Sequence, residues 1–69
     1  MTALLPLDMP DVVTLDMQID ELKRERSMRA QVYPRLLAAG TLKPSAAMRN
    51  NQRLDAAIAT LERLKAGAS

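Results

Sequence analysis

The sequence contains no cysteine, no histidine, no phenylalanine and no tryptophan, and its single aromatic residue is Tyr33. Without Cys there is no disulfide, and without Cys or His there is no structural zinc site, so the usual staples of a very small domain are missing. The same gap removes the common general base of neutral pH and the thiol nucleophile, and the chain is expected not to be an enzyme. Asp16 and Asp20 stand four apart and could pair on a helix face, but a solvated face is the commoner meaning of such spacing. The two glycines, Gly40 and Gly67, are far apart and build no phosphate-cradling loop. No cofactor and no metal are expected.

Long hydrophobic runs are also absent. A membrane span needs roughly 18 consecutive apolar residues, and charges interrupt every apolar run after Val13. The first residues are apolar but lack a basic region before them, and Asp8 and Asp11 follow closely, so a secretory leader is not expected. The expected location is the cytoplasm.

What is present is a chain of 69 residues, 48% hydrophobic, whose apolar side chains are Leu, Ile, Val, Met and Ala. That palette suits helices. A domain of this size buries a modest share of its surface, and with the covalent staples excluded, oligomerisation is the remaining source of stability. The net charge of +2 is unevenly spread: residues 1 to 20 carry four Asp and no base, whereas residues 21 to 69 carry all ten Lys and Arg against Glu21, Glu25, Asp55 and Glu62. Such asymmetry serves head-to-tail packing, partner selection or nucleic-acid contact, and composition does not choose among them.

Along the chain, residues 1 to 13 read as an extended arm, because Pro6 and Pro10 lack an N–H and push the preceding residue toward extended geometry. Leu4, Leu5, Leu7, Met9, Val12 and Val13 give this arm enough apolar surface to pack on something. Residues 14 to 69 read as a helical hairpin, with helices over about 15–39 and 44–66. Thr14 is the expected N-cap of the first, with Asp16 favourably placed for the dipole. Leu15, Ile19 and Leu22 recur at spacings of four and three, and the stripe continues through Arg26, Arg29, Tyr33 and Leu36. Pro34 should kink the helix or end it near Tyr33, and the helical pattern of Arg35 to Ala39 favours a kink, with Gly40 as the left-handed cap. Pro44 opens the second helix, whose stripe is Ala47, Leu54, Ile58 and Leu61, flanked by Ala57 and Leu64, with Gly67 as its stop.

A loop this short makes the helices antiparallel, bringing Leu15, Ile19 and Leu22 to face Ile58, Leu61 and Leu64. One hairpin cannot cover both apolar faces. The fold class expected is therefore all-α, a two-helix antiparallel hairpin with an extended N-terminal arm, dimerising into a four-helix assembly through Leu4, Leu5, Leu7, Leu15, Ile19, Leu22, Ile58 and Leu61. Arg26 and Arg29 interrupt the apolar seam at the height of Asn50, Asn51 and Gln52. This polar mid-section either fixes helix register or lines a polar partner-binding pocket.

The basic run Lys23, Arg24, Arg26, Arg29 and Arg35 is interleaved with Glu21 and Glu25, which can pair with Arg24 and Arg29. With one Tyr for base stacking and no groove-reading module, nucleic acid is not the expected partner. The expected partner-binding surface is the outer side of the first helix at Asp20, Arg24, Met28 and Tyr33, which combines charge, an adaptable thioether and a rigid aromatic beside Pro34. A nucleic-acid-binding or assembly accessory protein is the alternative to a protein-binding inhibitor.

The segment Ile19-Asp20-Glu21-Leu22-Lys23-Arg24-Glu25, followed by Met28-Arg29, Val32-Tyr33-Pro34 and Ala38-Ala39-Gly40, resembles a family of small prophage-encoded helical-hairpin proteins, and the run from Arg53 to Leu64 fits the same pattern. The resemblance covers about residues 14 to 64. Length and the Pro-containing arm look most like the anti-quorum-sensing members of that family, whereas Asn50-Asn51 and the long arm depart from its commoner members. What the resemblance implies is a homodimeric hairpin in the infected bacterium that binds the DNA-binding domain of the quorum-sensing activator LasR and blocks it. It implies a second target as well, the ATPase of type IV pilus assembly.

Overall fold

A computed structural model describes residues 12 to 68. The expected arm, with Leu4, Leu5 and Leu7 of the expected dimer surface, lies outside the described residues except for Val12 and Val13, which are exposed and belong to neither helix. Two helices and no strand make up the described chain: α1 spans Leu15–Ala38 and α2 spans Pro44–Ala68. Among the described residues no helix is long and apolar enough to cross a membrane.

Local chemistry sets each boundary. Thr14 sits in extended geometry with φ −77° and ψ 165°, and its hydroxyl accepts the Met17 N–H at 3.1 Å, satisfying one of the orphan donors of the first turn. Asp16 adds a negative charge where the helix dipole is positive. The far end of α1 closes in a Schellman arrangement. Gly40 N–H donates to Leu37 O at 3.1 Å and Thr41 N–H to Leu36 O at 3.0 Å, with Gly40 at φ +76°, a conformation that a Cβ would strain. Leu42 N–H reaches the same Leu36 carbonyl at 3.2 Å, which pulls the chain round toward Pro44.

Gly40 is left-handed as expected, one position beyond the capping residue Ala39. Pro34 does not end α1, as the helical pattern of Arg35 to Ala39 favoured: the helix continues four residues past it to Ala38, with the last carbonyls re-satisfied by the Schellman turn. One expected helix end fails. Gly67 does not stop α2, which runs on to Ala68. Its φ is not positive, so it takes ordinary helical geometry and costs only its low propensity.

The helices run antiparallel, as the ion pairs between them show. Asp16 meets Lys65, Lys23 meets Glu62 at 3.0 Å and Arg26 meets Asp55 at 2.8 Å, so numbers rise along α1 as they fall along α2. The seam between them is thin. Its buried core is Ile19, Ala47 and Leu54, with Leu15, Leu22, Leu36, Ile58 and Leu61 half-buried. Leu64, expected to face α1, is 56% exposed. Three residues beyond Leu61 and three before Gly67, it falls on the flank of α2 and not on the stripe that meets α1.

Candidate partner-binding surface

The stripe of α1 spaced alternately by four and three, from Leu15 through Ile19, Leu22, Arg26, Arg29 and Tyr33 to Leu36, faces α2 along its length. Its middle is polar, and the structure connects that middle. Arg29 Nε donates to Glu25 Oε2 at 2.9 Å, and its Nη1 donates to the Asn50 carbonyl of α2 at 2.9 Å. The guanidinium lies 5.8 Å from the centroid of the Tyr33 ring, within cation–π range, and Asn50 Nδ2 donates to the Tyr33 hydroxyl at 3.4 Å. Arg29 and Tyr33 are half-buried, so this network bridges the helices at one height. Asn51, next on α2, has a buried Oδ1 with no hydrogen-bond partner among the described residues. The sequence placed Asn50 and Asn51 opposite the arginines by height alone. That Arg29 would reach a backbone carbonyl and not an amide side chain had no signal in the sequence.

Arg26 closes the other side of the seam. Its guanidinium makes two bonds to Asp55, and the hydrogen bond with that carboxylate raises the Arg26 pKa above the ordinary value, opposed in part by desolvation and helped by the smaller effect of the carboxylate's charge. Lys65 is raised in the same way, first by its hydrogen bond to Asp16 and then by that carboxylate's charge, with smaller help from Asp20 and Glu62. All of these groups are solvent-facing, so the pairs orient the helices more than they stabilise them.

On one flank of α1 the seam is not covered. A depression of about 460 Å³ is lined by Val13, Met17, Gln18, Glu21, Leu22 and Leu61. A second, of about 140 Å³, is lined by Glu25, Met28, Arg29, Val32 and Tyr33. Leu22 and Leu61, expected at the dimer surface, thus border the first, and Met28 and Tyr33, expected at the partner surface, border the second. The structure does not bring Asp20 and Arg24 to either. Asp20 is exposed on the back of α1, and Arg24 is tied to Glu21 at 3.0 Å. Met17 borders the larger depression without having been singled out, since helical spacing marks the seam far better than its rim, whereas Val13 belongs to the arm already expected to pack. Met28 is 51% exposed, as are Met17 and Val13 to similar degrees, so the rims carry flexible apolar side chains that water now covers.

No protein-family model, curated protein or solved structure matches this chain. Among the described residues no three acidic side chains gather as metal ligands would. The surface therefore has to be read from its own chemistry: two shallow apolar depressions rimmed by acids at the open end of the hairpin and by Arg29 and Tyr33 nearer the turn.

Proposed function

We propose that this chain is a phage-encoded inhibitor that works as a homodimer in the bacterial cytoplasm, occupying the surface of a host protein one for one and without catalysis. The observation that supports this reading best is the uncovered flank of α1. A hairpin whose buried core is three residues, and whose seam opens into two apolar depressions, needs a protein surface to complete it.

The two depressions divide the work in this reading. The larger, at Leu22 and Leu61, takes the second copy in a four-helix assembly, to which Leu4, Leu5 and Leu7 of the arm add apolar area. The smaller, at Met28 and Tyr33, takes the host protein, while Asp20 and Arg24, on the back of α1, would meet it only if the contact extends round the helix. Ile19 to Glu25 and Val32 to Pro34 carry the resemblance to the prophage family, and the length and Pro-containing arm, which look most like its anti-quorum-sensing members, imply the targets: the DNA-binding domain of LasR and the type IV pilus assembly ATPase. The exposed acids Asp16, Asp20 and Glu21 suit the first of these, since a DNA-reading face is basic.

Sedimentation equilibrium and capture of the purified targets test the two halves separately. A folded monomer at low micromolar concentration, or a melting temperature unchanged by removal of residues 1 to 10, removes the dimer and the arm's part in it respectively. Met28→Ala and Tyr33→Ala should weaken target binding by about 1 kcal/mol or more with the dimer retained. If both variants fold and capture the targets as the parent does, the host surface lies elsewhere.

A further inference from the structure

We propose that the turn end of the hairpin is a second docking surface, separate from the flank at Met28, and that it takes an acidic, leucine-bearing segment of another protein. The sequence between Glu25 and Asp55 contains six cations and no acid. Two of the six are engaged, Arg26 by Asp55 and Arg29 by Glu25. The other four, Arg35, Lys43, Arg49 and Arg53, are all exposed and none has an ion-pair partner among the described residues. Elsewhere on the hairpin the pattern is the reverse, with Asp16, Glu21, Glu25, Asp55 and Glu62 each bound to a base. Of the five bases without an ion pair among the described residues, four thus fall between Arg35 and Arg53, and the fifth, Arg63, bonds the Thr60 hydroxyl at the open end, where Asp20 is also unpaired.

The four cations lie in the half of the hairpin nearer the turn. Arg35 lies three residues before the end of α1, Lys43 in the turn, and Arg49 and Arg53 one helical turn apart near the start of α2. The first turn of α2 has no acid, and Lys43 stands where a capping Ser, Thr, Asp or Asn would normally sit, so the positive end of that helix adds to the same field. Like charges crowded without counter-charge are a cost to the isolated hairpin, and a polyanionic partner is what relieves it.

Apolar side chains decide between a protein and a nucleic acid as that partner. Leu37 and Met48 are 38% and 64% exposed. Leu37 follows Lys23 by two heptads and Met48 precedes Asp55 by one, so both continue, at the turn, the flank along which Lys23 pairs with Glu62 and Arg26 with Asp55. Exposed apolar side chains in the same half of the hairpin as the unpaired cations, with Met48 next to Arg49 in the chain, suit an amphipathic segment with leucines on one face and carboxylates on the other. A phosphate backbone would leave Leu37 and Met48 unused, and the one aromatic residue is already held by Arg29 and Asn50.

The test is fluorescence anisotropy on the full chain with three labelled probes: an acidic peptide with Leu at every third or fourth position, the same peptide with Ser for each Leu, and a random-sequence duplex. The leucine peptide should bind about tenfold more tightly than the serine peptide at physiological salt. The double variant Arg49→Glu, Arg53→Glu should weaken it by a further factor of about ten or more, because attraction becomes repulsion. Met48→Ser should move the leucine peptide toward the serine one, and Met28→Ala should leave both unchanged, which separates this surface from the one proposed above. All three variants alter exposed side chains without ion pairs, and their melting curves should match the parent's. Equal binding of the two peptides, tighter binding of the duplex, binding indifferent to the charge reversals, or no saturable binding at all would each overturn the proposal.

Discussion

Replacing Arg29 tests whether the polar middle of the seam stabilises the hairpin or only dictates how its helices pair. In Arg29→Ala the side chain loses a charged hydrogen bond to the Asn50 carbonyl, a bond to Glu25 one turn back and its position over Tyr33. A hydrogen bond involving a charged group contributes about 1.5 to 3 kcal/mol, an exposed (i, i+4) pair about 0.3 to 0.5, and a partly exposed cation–π contact about 0.5 to 1. These do not add fully, because Glu25 and the Asn50 carbonyl both regain water, and a net loss of about 2 kcal/mol is expected. For a domain of this size that corresponds to a fall of about 8 to 16 °C in Tm, read by circular dichroism at one fixed protein concentration. Arg29→Leu should behave differently. It also removes the charge, but it fills the seam with an apolar side chain between Leu22 and Leu36, and replacing a half-buried ion pair by a hydrophobe is commonly neutral or stabilising. The leucine variant should therefore melt at or above the parent temperature while losing definition of its oligomeric state by sedimentation. An alanine variant as stable as the parent, or a leucine variant less stable than the alanine one, refutes the argument.

Other substitutions follow the same logic. Asn51→Leu removes a buried oxygen without a partner and should stabilise by about 1 to 3 kcal/mol in urea denaturation, and a loss would mean the amide is engaged. Leu54→Ala takes away one of three buried core side chains and should cost about 2 kcal/mol or more by the same measurement. Gly40→Ala meets nothing within 4 Å, so its cost of about 1 kcal/mol is purely the positive φ, and Gly40→Asn should recover part of it. Lys65 has its folded pKa raised by Asp16, so its contribution is intact below its ordinary value and is lost as pH rises through the raised one. Thermal melts should accordingly be flat across neutral pH with respect to this pair and fall in strong alkali, and Lys65→Met should remove that share of the alkaline decline.

Much of the fold was legible because each helix end carries its own chemistry. Thr14, Gly40 and Pro44 announced three of the four ends, and a period of three and four residues located Ile19, Ala47 and Leu54 on the buried side. Gly67 misled, since a glycine ends a helix only where the chain turns left-handed after it. Leu64 misled for a different reason: a stripe drawn on one helix says nothing about how wide the partner helix is, and α1 covers only the centre of α2. The candidate site was legible in part. Met28 and Tyr33 share a depression, but Asp20 and Arg24 do not join it, because they lie on the back of α1 where spacing alone had left them adjacent. The link from Arg29 to a main-chain oxygen could not be read at all, since it depends on the depth at which the helices settle and not on any residue type at position 50.

The Schellman turn bears on time as well as shape. Leu36 O receives both Thr41 and Leu42, so the reversal of the chain is completed by bonds spanning no more than six residues, and the first pairs across the seam are also close in sequence. Closing so short a loop takes tens of nanoseconds, and contacts can then spread outward from the turn as each residue of α2 finds its neighbour on α1. On that order the last to form should be Lys23 with Glu62 and Asp16 with Lys65, at the open end, held by exposed charges that salt screens. Opening should run the other way. A newly made chain would thus offer a finished turn end while the end bearing Val13 and Met17 still frays, and the two ends of one small hairpin would become available to other molecules at different moments.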